Sequence, residues 1–260
     1  MSIKIAVLCS DGPHHTYLIK QLQKHFDSLS IIVESSKDQR KRILKQKKYI
    51  DYFYSLYHNI RRNITGLNRY RQKFFQCNDP IVPNKNITIK RVSWINEPSV
   101  SEYLKGFEPD VTVVMGTSIL KKSVLYAAGE NVINIHGGYL PDYRGNHCIF
   151  FAYINGDFDK IGSTIHFINS KIDDGDIIEN VKADFFWNDT PEALYCRAEK
   201  LAIHRLIEYL HFYENGIGLP RKRNSGGKTY HTRDRKFYHE LIYIYLRILK
   251  NLQSKKKETV

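Results

Sequence analysis

The sequence contains no apolar run approaching the roughly 20 residues that a membrane-spanning helix requires, so no membrane span is expected. Its first apolar run, Ile3–Leu8, stops at a Ser-Asp-Gly-Pro turn and is too short for a secretory signal. A cytoplasmic location is therefore expected. Only four cysteines occur, at Cys9, Cys77, Cys148 and Cys196, and none forms a C-x-x-C pair. That excludes a zinc ribbon and a disulfide framework and leaves buried free thiols as the expectation. There is no internal repeat. Asp173, Asp174 and Asp176 cluster around Gly175, but a calcium loop spreads its oxygen ligands over about a dozen positions. No metal site is expected.

Basic charge is abundant and unevenly placed. The formal net charge is +13. Residues 37–76 hold twelve Lys/Arg against two acids, and residues 221–260 hold twelve against three. These segments carry +10 and +9, so the remainder of the chain carries −6. Two basic appendages thus flank a mildly acidic body.

The body reads as α/β. Ile3–Leu8 is a short apolar strand, His14–Phe26 shows a helical apolar face at Tyr17, Leu18, Leu22 and Phe26, and Leu29–Val33 is a second strand. Strand, helix, strand in that order predicts a parallel βαβ unit. Ile87–Val92 resumes the strand pattern. Val111–Met115 and Val132–Ile135 are continuous apolar runs, as expected of strands covered on both faces. Gly162–Ile168 and Ile177–Ala183 predict further strands. Thr190-Pro191 reads as a helix start, cap then proline at the first turn, with the helix running to about Tyr213 and stopping at Gly216. Within the first basic segment, Ile43, Ile50, Tyr54, Tyr57, Arg61 and Ile64 recur at helical spacing and predict one or two inserted helices. Pro220–Thr229 reads as a linker, and Phe237, Leu241, Ile244, Ile248 and Leu252 mark a terminal amphipathic helix. The expected organisation is a domain at 1–216 carrying the insert at about 37–76, then a linker and basic helix at 217–260.

One stretch bears chemistry. Asn134 and His136 are alternate residues of a strand and so share a face. They stand at its carboxyl end, where open parallel sheets hold ligands. About 37 residues later a turn presents Asp173. An amide donor, an imidazole and a carboxylate suit acyl transfer to an amine: the amide stabilises a developing oxyanion, and the imidazole moves a proton under the influence of the carboxylate.

Four motifs here resemble the formyltransferase family. They are Asn134-x-His136, Leu140-Pro141-Asp142-Tyr143-Arg144-Gly145, Gly162-Ser163-Thr164-Ile165-His166-Phe167, and Asp173-Asp174-Gly175-Asp176-Ile177-Ile178. The resemblance implies a Rossmann-like, mostly parallel sheet with helices on both faces. It implies Asn134, His136 and Asp173 as the catalytic triad and 10-formyltetrahydrofolate as cosubstrate. By the same resemblance Met115, Gly116, Ile119, Leu120, Ile172 and Asp173 hold the folate. His14, Tyr139, Tyr143, Arg144 and His147 are the residues offered to the acceptor, with Arg144 also read as fixing its own turn and His14-His15 as helix-start surface.

Two departures from the family narrow the acceptor. Gly137-Gly138-Tyr139 replaces a serine-bearing turn, and Ser10-Asp11-Gly12-Pro13-His14-His15 replaces the glycine-rich phosphate loop of the glycinamide ribonucleotide enzymes. The 44 residues after Gly216 read as linker and helix, not as the barrel domain of methionyl-tRNA formyltransferases. The expected acceptor is a nucleotide-linked amino-dideoxy sugar of surface-polysaccharide synthesis. Formyl transfer to another amine, formyltetrahydrofolate hydrolysis, and an RNA-binding protein with a decayed core are the alternatives. No DNA partner is expected. The aromatic residues among the insert's basic ones suit packing or RNA, and packing, including a homodimer through the basic helices, is the preferred reading.

Overall fold

The computed structural model describes residues 2–76, 87–169 and 172–258, with side chains to 249. In chain order the elements are β1 (Ile5–Cys9), α1 (Pro13–His25), β2 (Leu29–Glu34), α2 (Ser36–Lys45), α3 (Tyr49–Ile64), α4 (Leu67–Phe74), β3 (Ile87–Val92), α5 (Pro98–Phe107) and β4 (Val111–Met115). There follow α6 (Lys122–Ala127), β5 (Val132–His136), β6 (Tyr143–Gly145), α7 (Cys148–Asn155), β7 (Gly162–Phe167), β8 (Ile177–Lys182), α8 (Pro191–Glu214), β9 (Lys228–Tyr230) and α9 (Phe237–Glu258).

Seven strands form one sheet in the order β3-β2-β1-β4-β5-β7-β8. The pairings from β3 to β5 are parallel, and β7 and β8 are added antiparallel. The apolar runs at β1, β2 and β4 are buried along their whole length. One sheet face packs Leu18 and Leu22 of α1 with Ile203, Leu206 and Leu210 of α8. The other packs Val100 and Leu104 of α5 with Val124 of α6. A chain with helices on both faces buries its central strands twice, which is why they read as unbroken apolar runs.

Local signals account for the element ends. Thr190 caps α8 by accepting from the Ala193 amide at 3.1 Å, with Pro191 beginning the helix. The insert forms three helices, not one or two. Lys47, at φ 58°, ends α2, and Gly66, at φ 72°, separates α3 from α4. The left-handed turn at Gly66 costs glycine nothing, whereas Lys47 gives no such signal in sequence. The predicted packing of aromatic residues holds for Phe75, which is buried against His14 and Tyr17. It does not hold for Tyr49 and Phe53, which are exposed.

The segment read as a linker is packed against the body. Lys222 bridges to Ile177, Asn224 is buried, and β9 pairs with β6. Its two adjacent glycines and four basic residues suggest a free chain, but its amides complete two sheet edges. Cys9, Cys148 and Cys196 are buried free thiols, and burial pushes the Cys9 thiol up to about 12. Cys77 lies outside the described residues. No described helix is long and apolar enough to cross a membrane.

Candidate active site

Three strands bring the chemistry together. Asn134 and His136 stand at the carboxyl end of β5, and β7 runs antiparallel beside it with Asn134 opposite His166 and His136 opposite Thr164. The β7–β8 connection then places Asp173 over the same strand end. His136 Nδ1 lies 3.4 Å from Asp173 Oδ2, and His136 Nε2 lies 3.0 Å from the Tyr143 carbonyl oxygen. Both ring nitrogens therefore face oxygen acceptors. A neutral imidazole has one N–H and serves only one of them at a time. A ring that gains a proton serves both, which suits a group that takes up and releases a proton.

Asp173 is held by its backbone surroundings. Its φ is 47°, the left-handed region that Asp tolerates better than most residues. Its Oδ2 accepts from the Gly145 amide at 2.9 Å. Asn224 Nδ2 donates to the Asp173 and Gly175 carbonyl oxygens, both at 2.9 Å. Arg144 Nη1 donates to Asp174 at 2.7 Å, and its Nη2 donates to Asn224 at 2.9 Å. Arg144 thus ties the aspartate loop to the last basic segment, which fixes where the Asp173 carboxylate points.

His166 belongs to one of the four motifs yet is not among the expected site residues. Its Nδ1 donates to the Phe167 carbonyl oxygen at 2.8 Å, leaving Nε2 to accept from Asn134 Nδ2 at 3.0 Å. Burial, and then the neighbouring His136, push its pKa down to about 4, so it is a neutral acceptor near pH 7. One amide hydrogen of Asn134 is spent on this bond, and the other is left for a ligand.

The turn Gly137-Gly138 has a steric cause. A Cβ on Gly138 would stand 2.5 Å from His136 Nε2 and 2.6 Å from Cys148 Cβ. Such distances do not occur without displacement, so no side chain fits beside the imidazole.

These groups open into a cavity of about 720 Å³. Every residue expected to hold folate lines it: Met115, Gly116, Ile119, Leu120, Ile172 and Asp173. Ile119 is 71% exposed and Ile172 45% exposed, an apolar pair offered to a flat ring. The loop carrying Ile119 is fixed from below by Glu34, which is fully buried at the end of β2. Glu34 accepts from the Ser118 amide at 2.7 Å, from the Ile95 amide at 3.1 Å and from Arg42 of α2. Asn96 adds a bond to the Ile119 carbonyl oxygen at 2.9 Å. Nothing in the run LSIIVE marks Glu34, since an acid ending a strand reads as surface.

The residues expected to meet the acceptor divide. His14 and His147 line the cavity; Tyr139, Tyr143 and Arg144 do not. Tyr143 is buried with its hydroxyl donated to Asp157 and its ring stacked on Tyr230. Tyr139 lies beside Lys182, and Arg144 is committed to its loop. His14 and His15 are not helix-start surface: both are buried. His15 Nδ1 accepts from the Gly12 amide at 2.9 Å, and burial pushes its pKa down to about 3. Gly116 turns at φ 70° directly over His15, leaving no room for a Cβ.

Residues 3–210 match the model of the formyl transferase family. The methionyl-tRNA formyltransferase of Francisella philomiragia is 27% identical over 208 residues, covering 78% of this chain and 64% of that enzyme. That of Alkaliphilus metalliredigens is 32% identical over 137 residues, or 52% of this chain and 43% of that enzyme. The chain spans less than two thirds of the length of these curated relatives. Among solved structures, a 4-N formyltransferase from Francisella tularensis matches with a TM-score of 0.59 at 16% identity, covering 95% of this chain and 88% of that one. An N-formyltransferase from Helicobacter canadensis, solved with folinic acid and dTDP-3-aminofucose, matches with a TM-score of 0.56 at 16% identity, covering 90% of this chain and 72% of that one. Phosphoribosylglycinamide formyltransferase from Anaplasma phagocytophilum gives 0.56 at 17% identity, covering 89% and 98%. At these identities the structures share the fold. The family match spans all seven strands of the main sheet and the loops that carry Asn134, His136 and Asp173, and the chain belongs to the formyl transferase family.

Proposed function

We propose that this protein transfers the formyl group of 10-formyltetrahydrofolate to the primary amine of a nucleotide-linked amino-dideoxy sugar. The observation that carries the reading is the convergence of Asn134, His136 and Asp173 on one cavity whose other lining is the apolar loop at Ile119 and Ile172. The amine attacks the formyl carbon, and its new C–N bond forms as the carbonyl oxygen gains negative charge. The Asn134 amide hydrogen not bound to His166 stabilises that oxygen, an interaction worth roughly 3–4 kcal/mol where such donors have been removed. His136 and Asp173 take the proton from the amine nitrogen and return it to the folate nitrogen as the old C–N bond breaks. No side-chain nucleophile is needed.

The exposed Ile119 and Ile172 and the backbone of Gly116 support the folate assignment, because a flat heteroaromatic ring needs apolar cover and edge hydrogen bonds. The sugar-nucleotide reading draws support from the positive lining described below, while Asp11 and the spent Gly12 amide speak against a glycinamide ribonucleotide phosphate held at the start of α1. Incubation with 10-formyltetrahydrofolate and a panel of nucleotide-linked amino sugars tests it. A formamide product, seen by mass spectrometry, is expected from at least one. Turnover of another amine class and of no amino sugar would overturn it.

We also propose that α9 joins two copies of the chain in the cytoplasm. Leu241, Ile244, Tyr245 and Ile248 leave an apolar stripe exposed on it, while Tyr243 packs on Phe150 and Tyr153.

A further inference from the structure

The cavity wall opposite in character to the folate loop is built by the two basic appendages. Arg61 and Arg62 of α3, Arg71 of α4, Arg235, and Arg247 of α9 all line it. They do not sit there as separate surface charges. Arg71 pairs with Glu192 and lies 4.6 Å over the Tyr195 ring, whose hydroxyl is 3.3 Å from His14 Nε2. Arg235 donates to Glu240 at 2.8 Å, and Arg61 lies 3.7 Å from the same carboxylate. Glu240 therefore serves two guanidinium groups.

The positive charge exceeds its partners. Among the described residues Arg62 makes no ion pair. Burial, and then the adjacent Arg71, hold its pKa down at about 10. Arg235, only 7% exposed, is likewise lowered to about 10 by burial and by Arg61. Burial pushes Glu199, the other acid of this wall, up to about 8, so it is largely neutral near pH 7. Three further nitrogens of the lining go unused: among the described residues Arg61 Nε, His14 Nδ1 and His15 Nε2 are buried without a hydrogen-bond partner. Buried polar groups in a folded chain are nearly always satisfied, and a cationic cluster with free donors inside a cavity is short of an anion.

The usual place for an anion is closed. At the start of α1 the Gly12 amide is already given to His15 Nδ1, and Asp11 stands beside it, accepting from the Ser36 amide. A phosphate brought there would meet a carboxylate and a spent donor.

We propose that Arg61, Arg62, Arg71 and Arg235 form the receptor for the diphosphate of the acceptor, so that the insert and the last basic segment jointly supply the acceptor subsite. This deepens the function proposed above and rests on it for the identity of the acceptor. Guanidinium groups bind phosphate oxygens through paired charge-assisted hydrogen bonds, and a diphosphate offers enough charge to satisfy the excess.

The test uses the full chain and inorganic pyrophosphate, with calorimetric titration as the readout. Wild type is expected to bind pyrophosphate and to bind inorganic phosphate more weakly. Arg62→Gln, which breaks no ion pair, should weaken pyrophosphate binding about tenfold, with Arg62→Lys intermediate and folinic acid binding unchanged. A melt shared with wild type certifies the fold of both variants. Absence of pyrophosphate binding, equal affinity in Arg62→Gln, or displacement of pyrophosphate by folinic acid overturns the proposal. The titration needs no amine acceptor. If pyrophosphate binds through Arg62 while no amino sugar is formylated, the subsite stands and the acceptor reading fails; formylation without pyrophosphate binding gives the reverse.

Discussion

Asn134 and His166 face each other across the antiparallel pair β5–β7, with the amide nitrogen 3.0 Å from the imidazole Nε2. That bond sets which way the amide turns and leaves one of its hydrogens free to donate, in the proposed mechanism to the developing oxyanion. His166→Ala should therefore lower kcat by about ten- to a hundredfold, since small misplacements of catalytic groups cost that much. The KM for folate should change little. A kcat within twofold of wild type would show that Asn134 needs no such support.

His136→Asn should lose at least about 3 kcal/mol of transition-state stabilisation with an unchanged melt. The smaller side chain fits the same space between Tyr143 and Asp173. Steady-state kinetics beside a thermal scan check it, and near-normal turnover would refute the catalytic role.

Gly138→Ala should reduce activity by roughly a hundredfold, because its methyl group would displace His136 from its alignment with Asp173. Gly216→Ala, at the exposed end of α8 where a Cβ would meet nothing within 4 Å, is the comparison. It should cost only stability, on the order of 1 kcal/mol, through its positive φ. Equal activity losses in the two variants would contradict the steric argument.

Glu199 carries a pH signature. Burial raises its pKa from the ordinary 4.5 to about 8, so the folded state holds this proton more tightly than the unfolded state does. Its contribution is fully present below about 4.5 and is lost as pH rises through about 8. Wild type should therefore lose stability relative to Glu199→Gln across that window, measured as the difference in Tm at a series of pH values. A difference that stays constant or grows in favour of wild type with rising pH would contradict the assignment.

The exposed stripe of α9 gives a prediction for assembly. Ile244→Asp with Ile248→Asp should convert a dimer to a monomer in sedimentation while leaving the melt of the body intact. A wild-type chain that sediments as a monomer at micromolar concentration would end the dimer proposal.

Much of this was legible in the sequence because it is local. The strands at Ile5–Cys9, Val111–Met115 and Val132–His136 are apolar runs whose pattern follows from burial on both faces. The motif residues Asn134, His136 and Asp173 sit at strand ends and turns that short stretches of chain determine. The residues that hold them were not legible. Asn224 reaches the Asp173 loop, and Glu34 the loop that carries Ile119, across 49 to 84 residues of sequence, and their chemistry is ordinary until the fold buries it. Tyr139 and Tyr143 are expected at the acceptor, and Arg144 either there or as the brace of its own turn. The chain turns them away from the cavity, where Arg144 holds the Asp173 loop. The basic segments misled by composition: Pro220–Thr229 looks like free linker, yet Asn224 within it anchors the Asp173 loop.

The central claim is that the Asn134–His136–Asp173 site moves a formyl group from folate to an amine. Its most direct test is mass spectrometry of the amine products formed by the wild-type chain and by Asp173→Asn, each given 10-formyltetrahydrofolate and the nucleotide amino-sugar panel. The account predicts a formamide from wild type, reduced at least a hundredfold in the variant. Formamide produced equally by both would contradict it.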